Sequence, residues 1–182
     1  MRKIALLLLA AMLTSCGSMP LNPTETQEAN MTLSLSSTAF AAGQAIPAKY
    51  ACTGRDVSPP LAWGSAPAAT QSFALIVDDP DAPMGTWVHW VVFNIPAGTQ
   101  AFSEGIAAGA QLPEGGLQGR NSSGKSGYDG PCPPSGTHRY FFRLYALDAT
   151  LALPSSADKA QLLNAMQGHV LAQGELMGTF SK

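Results

Sequence analysis

Apolar residues along this chain fall mostly into short runs, each cut off by proline or glycine before a long helix could form. Met31-Thr32-Leu33-Ser34-Leu35-Ser36 alternates apolar and polar, which predicts a first strand with one buried face. Leu61-Ala62-Trp63 reads as a short strand between turns. Phe73-Ala74-Leu75-Ile76-Val77 is continuously apolar and stops abruptly at Asp78-Asp79-Pro80-Asp81-Ala82-Pro83. Its length and branching predict a central strand buried on both faces. Trp87 through Ile95 predicts the next strand, stopped by Pro96, and His138 through Tyr145 predicts another, rich in aromatics. Residues 97–126 carry many glycines and no long periodic segment, so they read as a surface excursion. Pro154-Ser155-Ser156 looks like a helix start, and Leu162, Leu163, Met166 and Val170 follow at helical spacing. Gly174 is expected to end that helix and Glu175 to Phe180 to form a last strand. Many strands, long loops and one late helix predict a mainly β fold, an antiparallel β-sandwich.

Composition changes this picture little. The chain has 182 residues, 46% hydrophobic and 12% charged, with 18 glycines and 14 prolines, which suits one loop-rich β domain with a short appendage. A net charge of −2 gives no basic footprint and argues against nucleic acid as a partner. Arg2-Lys3 followed by an apolar run from Ile4 to Leu13, too short to span a bilayer, reads as an export signal. Leu13-Thr14-Ser15-Cys16 resembles the bacterial lipobox, which implies cleavage before Cys16 and lipid on its sulfur and amino group. The expected division is therefore a signal peptide over 1–15, a tether over 16–30 and a domain over 31–182. The expected location is the bacterial cell envelope, with the protein held to the membrane by lipid. Gly17 after the cysteine points to the periplasmic face of the outer membrane in a Gram-negative cell. Cys52 and Cys132, an even pair in an oxidising compartment, read as a disulfide, with two free thiols as the alternative.

The stretch with most chemistry is Gly127 to Tyr140, Gly-Tyr-Asp-Gly-Pro-Cys-Pro-Pro-Ser-Gly-Thr-His-Arg-Tyr. Pro131, Pro133 and Pro134 stiffen the loop and remove N–H donors, which leaves mainly those of Gly130, Cys132, Ser135 and Gly136. Free backbone N–H groups beside an imidazole favour an anionic guest. His138 shares a face with Tyr140 and Phe142, while Arg139 alternates to the other side and is expected to serve structure, through a salt bridge or by covering apolar surface. His89 is expected to share a face with Trp87 and Val91. Of the acid cluster Asp78, Asp79 and Asp81, the functional reading places one carboxylate beside an imidazole, orienting it; the plainer reading is a solvated turn. Gly119 to Ser126 fits the P-loop expression, but the flanking glycines and prolines supply neither the strand nor the helix that phosphate binding needs.

Asp79-Pro80-Asp81-Ala82-Pro83, Trp87-Val88-His89-Trp90 and Gly136-Thr137-His138-Arg139-Tyr140 occur in that order. With Ser58-Pro59-Pro60-Leu61 and Gly174-Glu175-Leu176, they resemble the phosphatidylethanolamine-binding protein family over roughly residues 31–180, and its bacterial, Raf kinase inhibitor-like branch in particular. The resemblance implies two packed sheets and a small pocket for phosphate, carboxylate or a phospholipid head group. It implies pocket residues Asp79, Trp87, His89, Gly130, Pro133, Pro134, His138 and Tyr140. His89 and His138 would donate N–H to anion oxygens, the loop N–H groups would complete the cradle, and Tyr140 would add its hydroxyl. The pocket thus expects two imidazoles from neighbouring strands under a proline-braced rim. Larger animal members close the pocket with a C-terminal helix, and the end of this chain at Lys182 implies a more open recess.

The leading expectation is a lipid-anchored, non-catalytic binding protein without cofactor, its protein partner unspecified. Two alternatives stay open: an Asp/His-dependent phosphoester hydrolase, although no nucleophile is evident, and an interaction or inhibitor module acting through its surface. A metal held by Asp79, His89 and His138 is possible by ligand type, but the resemblance implies an anion there without metal.

Overall fold

The computed structural model describes residues 31–182, so the expected signal peptide, tether and lipid-bearing Cys16 lie outside the described residues. In chain order the elements are β1 (Met31–Thr32), β2 (Leu35–Ser36), β3 (Leu61–Trp63), β4 (Ser72–Asp79), β5 (Trp87–Pro96), β6 (Ala101–Phe102), β7 (Leu117–Gln118), β8 (Thr137–Leu147), α1 (Lys159–Ala165) and β9 (Val170–Ser181). Six strands form one sheet in the order β1-β9-β8-β4-β5-β7, and β2-β3-β6 form a smaller one. The apolar run that predicted a central strand is β4, buried at every position and flanked by β5 and β8.

Strand alternation divides the interior in two. Phe73, Leu75 and Val77 of β4 join Tyr140, Phe142 and Leu144 of β8 and the small-sheet residues Leu35, Leu61, Trp63 and Phe102 in one core. Ala74 and Ile76 point the other way, toward Leu151, Ala157, Leu162 and Met166 around the helix. Burial of each such large side chain contributes roughly 1.5–3 kcal/mol. The large sheet is thus covered by the small sheet on one face and by the helical segment on the other.

Four expectations change. The alternation over 31–36 does not give one strand. β1 pairs in parallel with β9, then the chain crosses at Leu33 and β2 pairs antiparallel with β3 of the small sheet. The large sheet is therefore mixed rather than purely antiparallel. The helix is one short segment capped by Asp158, whose carboxylate accepts from the Gln161 N–H while the Gln161 side chain accepts from the Asp158 N–H. Gly168, in the left-handed region at φ 78°, follows its end. Val170 and Gly174, read as helical, belong to β9. Residues 97–126 hold the two-residue strands β6 and β7 within the expected excursion.

Gly174 sits in β9 because the chain just after β1 crosses it closely. A Cβ there would lie 2.4 Å from the Leu33 carbonyl oxygen. Gly174→Ala is expected to destabilise by about 1–3 kcal/mol, since main chain rather than a flexible side chain must yield. A urea midpoint unchanged from wild type would contradict this account of the crossing.

Candidate functional site

The C-terminal end of β4 and the N-terminal ends of β5 and β8 lie together, because β4 runs antiparallel to both neighbours. A recess of about 350 Å³ opens there, lined by Asp79, Trp87, His89, Gly130, Pro133, Pro134 and His138 among the expected residues. Asp56, Ala82, Pro83, Ser123, Lys125, Asp129 and the two cysteines complete the lining. The two imidazoles do not come from neighbouring strands. β4 separates β5 from β8 and places Asp79 between them.

Period two sends Asp78 and Asp79 to opposite faces of β4. Asp79 Oδ2 takes the Nδ1 hydrogen of His138 at 2.7 Å, and its Oδ1 accepts from the Asp81 N–H at 2.8 Å. Asp78 meets Arg143 and Lys159 on the far side of the sheet. Asp81 is paired with Arg139 across the strand end, and that guanidinium holds its carboxyl down to about 2. Arg139 is therefore bound in a salt bridge outside the recess lining.

His89 reaches the recess through an irregularity in β5. Val77 pairs with Trp90, but the next pair is Asp78 with Val88, which leaves His89 as an extra residue. A bulge of this kind re-aims a side chain. The His89 ring consequently lies edge-on to Tyr140, with centroids 5.2 Å apart, on the side of the core that contains Trp90. Val91, expected on the same face, packs in the other core. His89 Nδ1 donates to the Asp129 carbonyl at 2.8 Å. Burial pushes the His89 imidazole below its ordinary value, against the pull of that carbonyl and of the Asp79, Asp129 and Asp78 carboxylates. Neither imidazole's Nε2 has a hydrogen-bond partner among the described residues.

The proline-rich rim is clamped to residues 50–56. Cys52 and Cys132 form a disulfide with Cα atoms 5.5 Å apart, and the Cys52 N–H donates to the Pro131 carbonyl at 3.1 Å. Gly130 is held as well, but its N–H is not free for a ligand, because it donates to Asp56 Oδ1 at 2.7 Å. Gly130 is required by close approach: a Cβ would lie 2.3 Å from the Tyr50 carbonyl oxygen. Asp56 adopts the left-handed region at φ 54°, and no motif marks it in the sequence.

Tyr140 departs from expectation. It is fully buried and lies behind His89 rather than in the recess wall. Its hydroxyl is buried without a hydrogen-bond partner, and desolvation, followed by the Asp79 charge, pushes the phenol up. No group of three or more metal-ligating side chains suited to an ion occurs among the described residues.

A sequence model of the family described as phosphatidylethanolamine-binding protein matches residues 36–181. A UPF0098 protein of Methanothermobacter thermautotrophicus is 52% identical over 137 residues, covering 75% of this chain and 91% of its own. A UPF0098 protein of Chlamydia pneumoniae is 46% identical, covering 82% of this chain and 99% of its own. Among solved structures, a phosphatidylethanolamine-binding protein homologue from Chlamydia trachomatis superposes with a TM-score of 0.76 at 44% identity, covering 83% of this chain and 98% of the other. Escherichia coli YbcL, described as a new member of the mammalian family, gives a TM-score of 0.76 at 31% identity over 82% and 98% of the two chains. The chain belongs to the phosphatidylethanolamine-binding protein family. Its relatives are archaeal as well as bacterial, so membership of the family, and of no narrower bacterial branch, is established.

Because the pKa of His89 is lower in the folded chain than in the unfolded one, unfolding takes up a proton in acid. Its contribution to stability is therefore complete above about pH 6.5 and shrinks as pH falls below that, by at most about 1.4 kcal/mol per pH unit. Denaturant titrations between about pH 7.5 and pH 5 should show this slope in wild type and a shallower one in His89→Gln. Parallel slopes in the two proteins would contradict it.

Proposed function

We propose that this family member is a binding protein whose recess takes a small oxyanion: phosphate, a phosphate ester such as a lipid head group, or a carboxylate. The observation that carries this reading is the pair of imidazoles lining one recess, each oriented through Nδ1 by a fixed acceptor and each left with Nε2 unengaged by the protein. Such outer partners fix the tautomer and the ring direction. Lys125 supplies positive charge, and the Trp87 indole at the mouth offers both a donor and an apolar wall. The disulfide and the prolines keep the rim in shape without ligand, which lowers the ordering cost of binding.

Phosphate or phosphoethanolamine at about a hundredfold excess over Kd should raise the melting temperature of wild type by roughly 5–10 °C. His138→Ala should lose the shift, because it removes one of the two rings while the Asp79 turn remains. Equal shifts in both proteins would overturn the reading.

We propose further that the chain is carried at the envelope membrane by lipid on Cys16, a reading supported by Arg2-Lys3, the apolar run to Leu13 and Leu13-Thr14-Ser15-Cys16. Two or more acyl chains would anchor it stably. On detergent phase separation of cell extracts, wild type should partition with the detergent and Cys16→Ser with the water. Wild type in the aqueous phase would count against the anchor.

A further inference from the structure

The state of His89 narrows what the recess accepts, given that the recess is the oxyanion site proposed above. A carbonyl has no hydrogen to give, so with the Asp129 oxygen at 2.8 Å the His89 hydrogen must sit on Nδ1. Nε2 of the neutral ring is then a lone pair. The ring is only 4% exposed, and low dielectric opposes charging it.

Its surroundings add more lone pairs than hydrogens. Asp79 ends β4 beside it, with the Asp78 carboxylate paired on the far face of that strand, Tyr140 and His138 lie on β8, and Asp129 and Lys125 come from the loop after β7. Asp56 faces the same space from the clamp segment. Lys125 is the single permanent cation of the lining, and its ammonium lies 3.8 Å from an Asp129 oxygen. At neutral pH a guest oxyanion therefore meets a bare imidazole nitrogen at His89, while the donors of the lining, Lys125, Trp87 and Ser123, lie on other residues. A fully ionised ion such as sulfate brings only further lone pairs. Hydrogenphosphate brings an O–H at neutral pH, and a phosphomonoester brings one as its monoanion, the form that prevails below about pH 6.

We propose that His89 selects the ligand by protonation: its Nε2 accepts a hydrogen bond from an O–H of the bound anion, so that the recess takes hydrogenphosphate and phosphomonoester monoanions and discriminates against sulfate. Sites built to pair with a polar hydrogen reject analogues that lack it, because a buried acceptor is left unmatched. The bulge in β5 is what brings this acceptor to the recess.

Titration calorimetry of the full chain with sodium phosphate and with sodium sulfate tests the proposal. At about pH 7 phosphate should bind at least about tenfold more tightly than sulfate. At about pH 5.5 more of the rings carry a second hydrogen than at about pH 7, so sulfate should gain more affinity than phosphate, which narrows the ratio. His89→Gln, whose amide can turn a donor toward the ligand, should bring the ratio at neutral pH to within about threefold. Should that variant not fold, the wild-type ratio and its trend with pH decide alone. Equal affinities for phosphate and sulfate in wild type at neutral pH would overturn the selection while leaving an oxyanion recess standing. Binding of neither anion at either pH would overturn the recess reading, and this proposal with it.

Discussion

Two carboxylates are buried side by side at the end of the central strand, and a buried charge is tolerable only when it is matched. Asp78 and Asp79 meet that demand on opposite faces of the sheet. Asp78 draws Arg143 from β8 and Lys159 from the helix, which ties the helical segment to the sheet. Asp79 draws His138 and the backbone of the following turn. One face thus becomes a structural ion cluster and the other the wall of a recess. The rest of the site is arranged around this division.

The recess has an unusual balance for a site read as anionic in preference. Its rim is stiff, its volume is small and it carries two oriented imidazoles, all of which suit a compact oxyanion. Yet the backbone donor of Gly130 is already spent on Asp56, and three carboxylates line the space. For the oxyanion proposed, attraction could not rest on accumulated positive charge. It would have to come from hydrogen bonds whose direction depends on where protons sit, which would make the tautomers of His89 and His138 the central quantities.

Much of this was legible in the chain. The run from Phe73 to Val77 and its abrupt stop located the central strand, and alternation put His138, Tyr140 and Phe142 on one face, as found. The pairing of Arg139 away from the recess followed from the same alternation. What escaped was set by distant partners. Nothing in Trp87-Val88-His89-Trp90 marks a bulge, since the extra residue is counted only against β4. Asp56 lies in an aperiodic loop and acquires its role from Gly130, far along the chain. Leu162, Met166 and Val170 do fit a helical stripe, but β8 claims Val170 for the sheet by pairing it with Leu147. Gly168 carried the truer stop signal. Tyr140 was placed in the pocket by the family resemblance, and alternation, which gives a face and not a depth, could not show that it is fully buried.

The absence of any space beside Gly130 divides the recess into two unequal sides. Along the Gly130 side the surface is peptide, pressed against the main chain of Tyr50 and Ala51, and no substitution can decorate it without moving both segments. Elsewhere the lining includes Ala82, Trp87, Ser123 and Lys125, whose side chains could be exchanged at little cost to the scaffold. Divergence in what such a pocket prefers would have to be written on that second side, over a floor that stays the same.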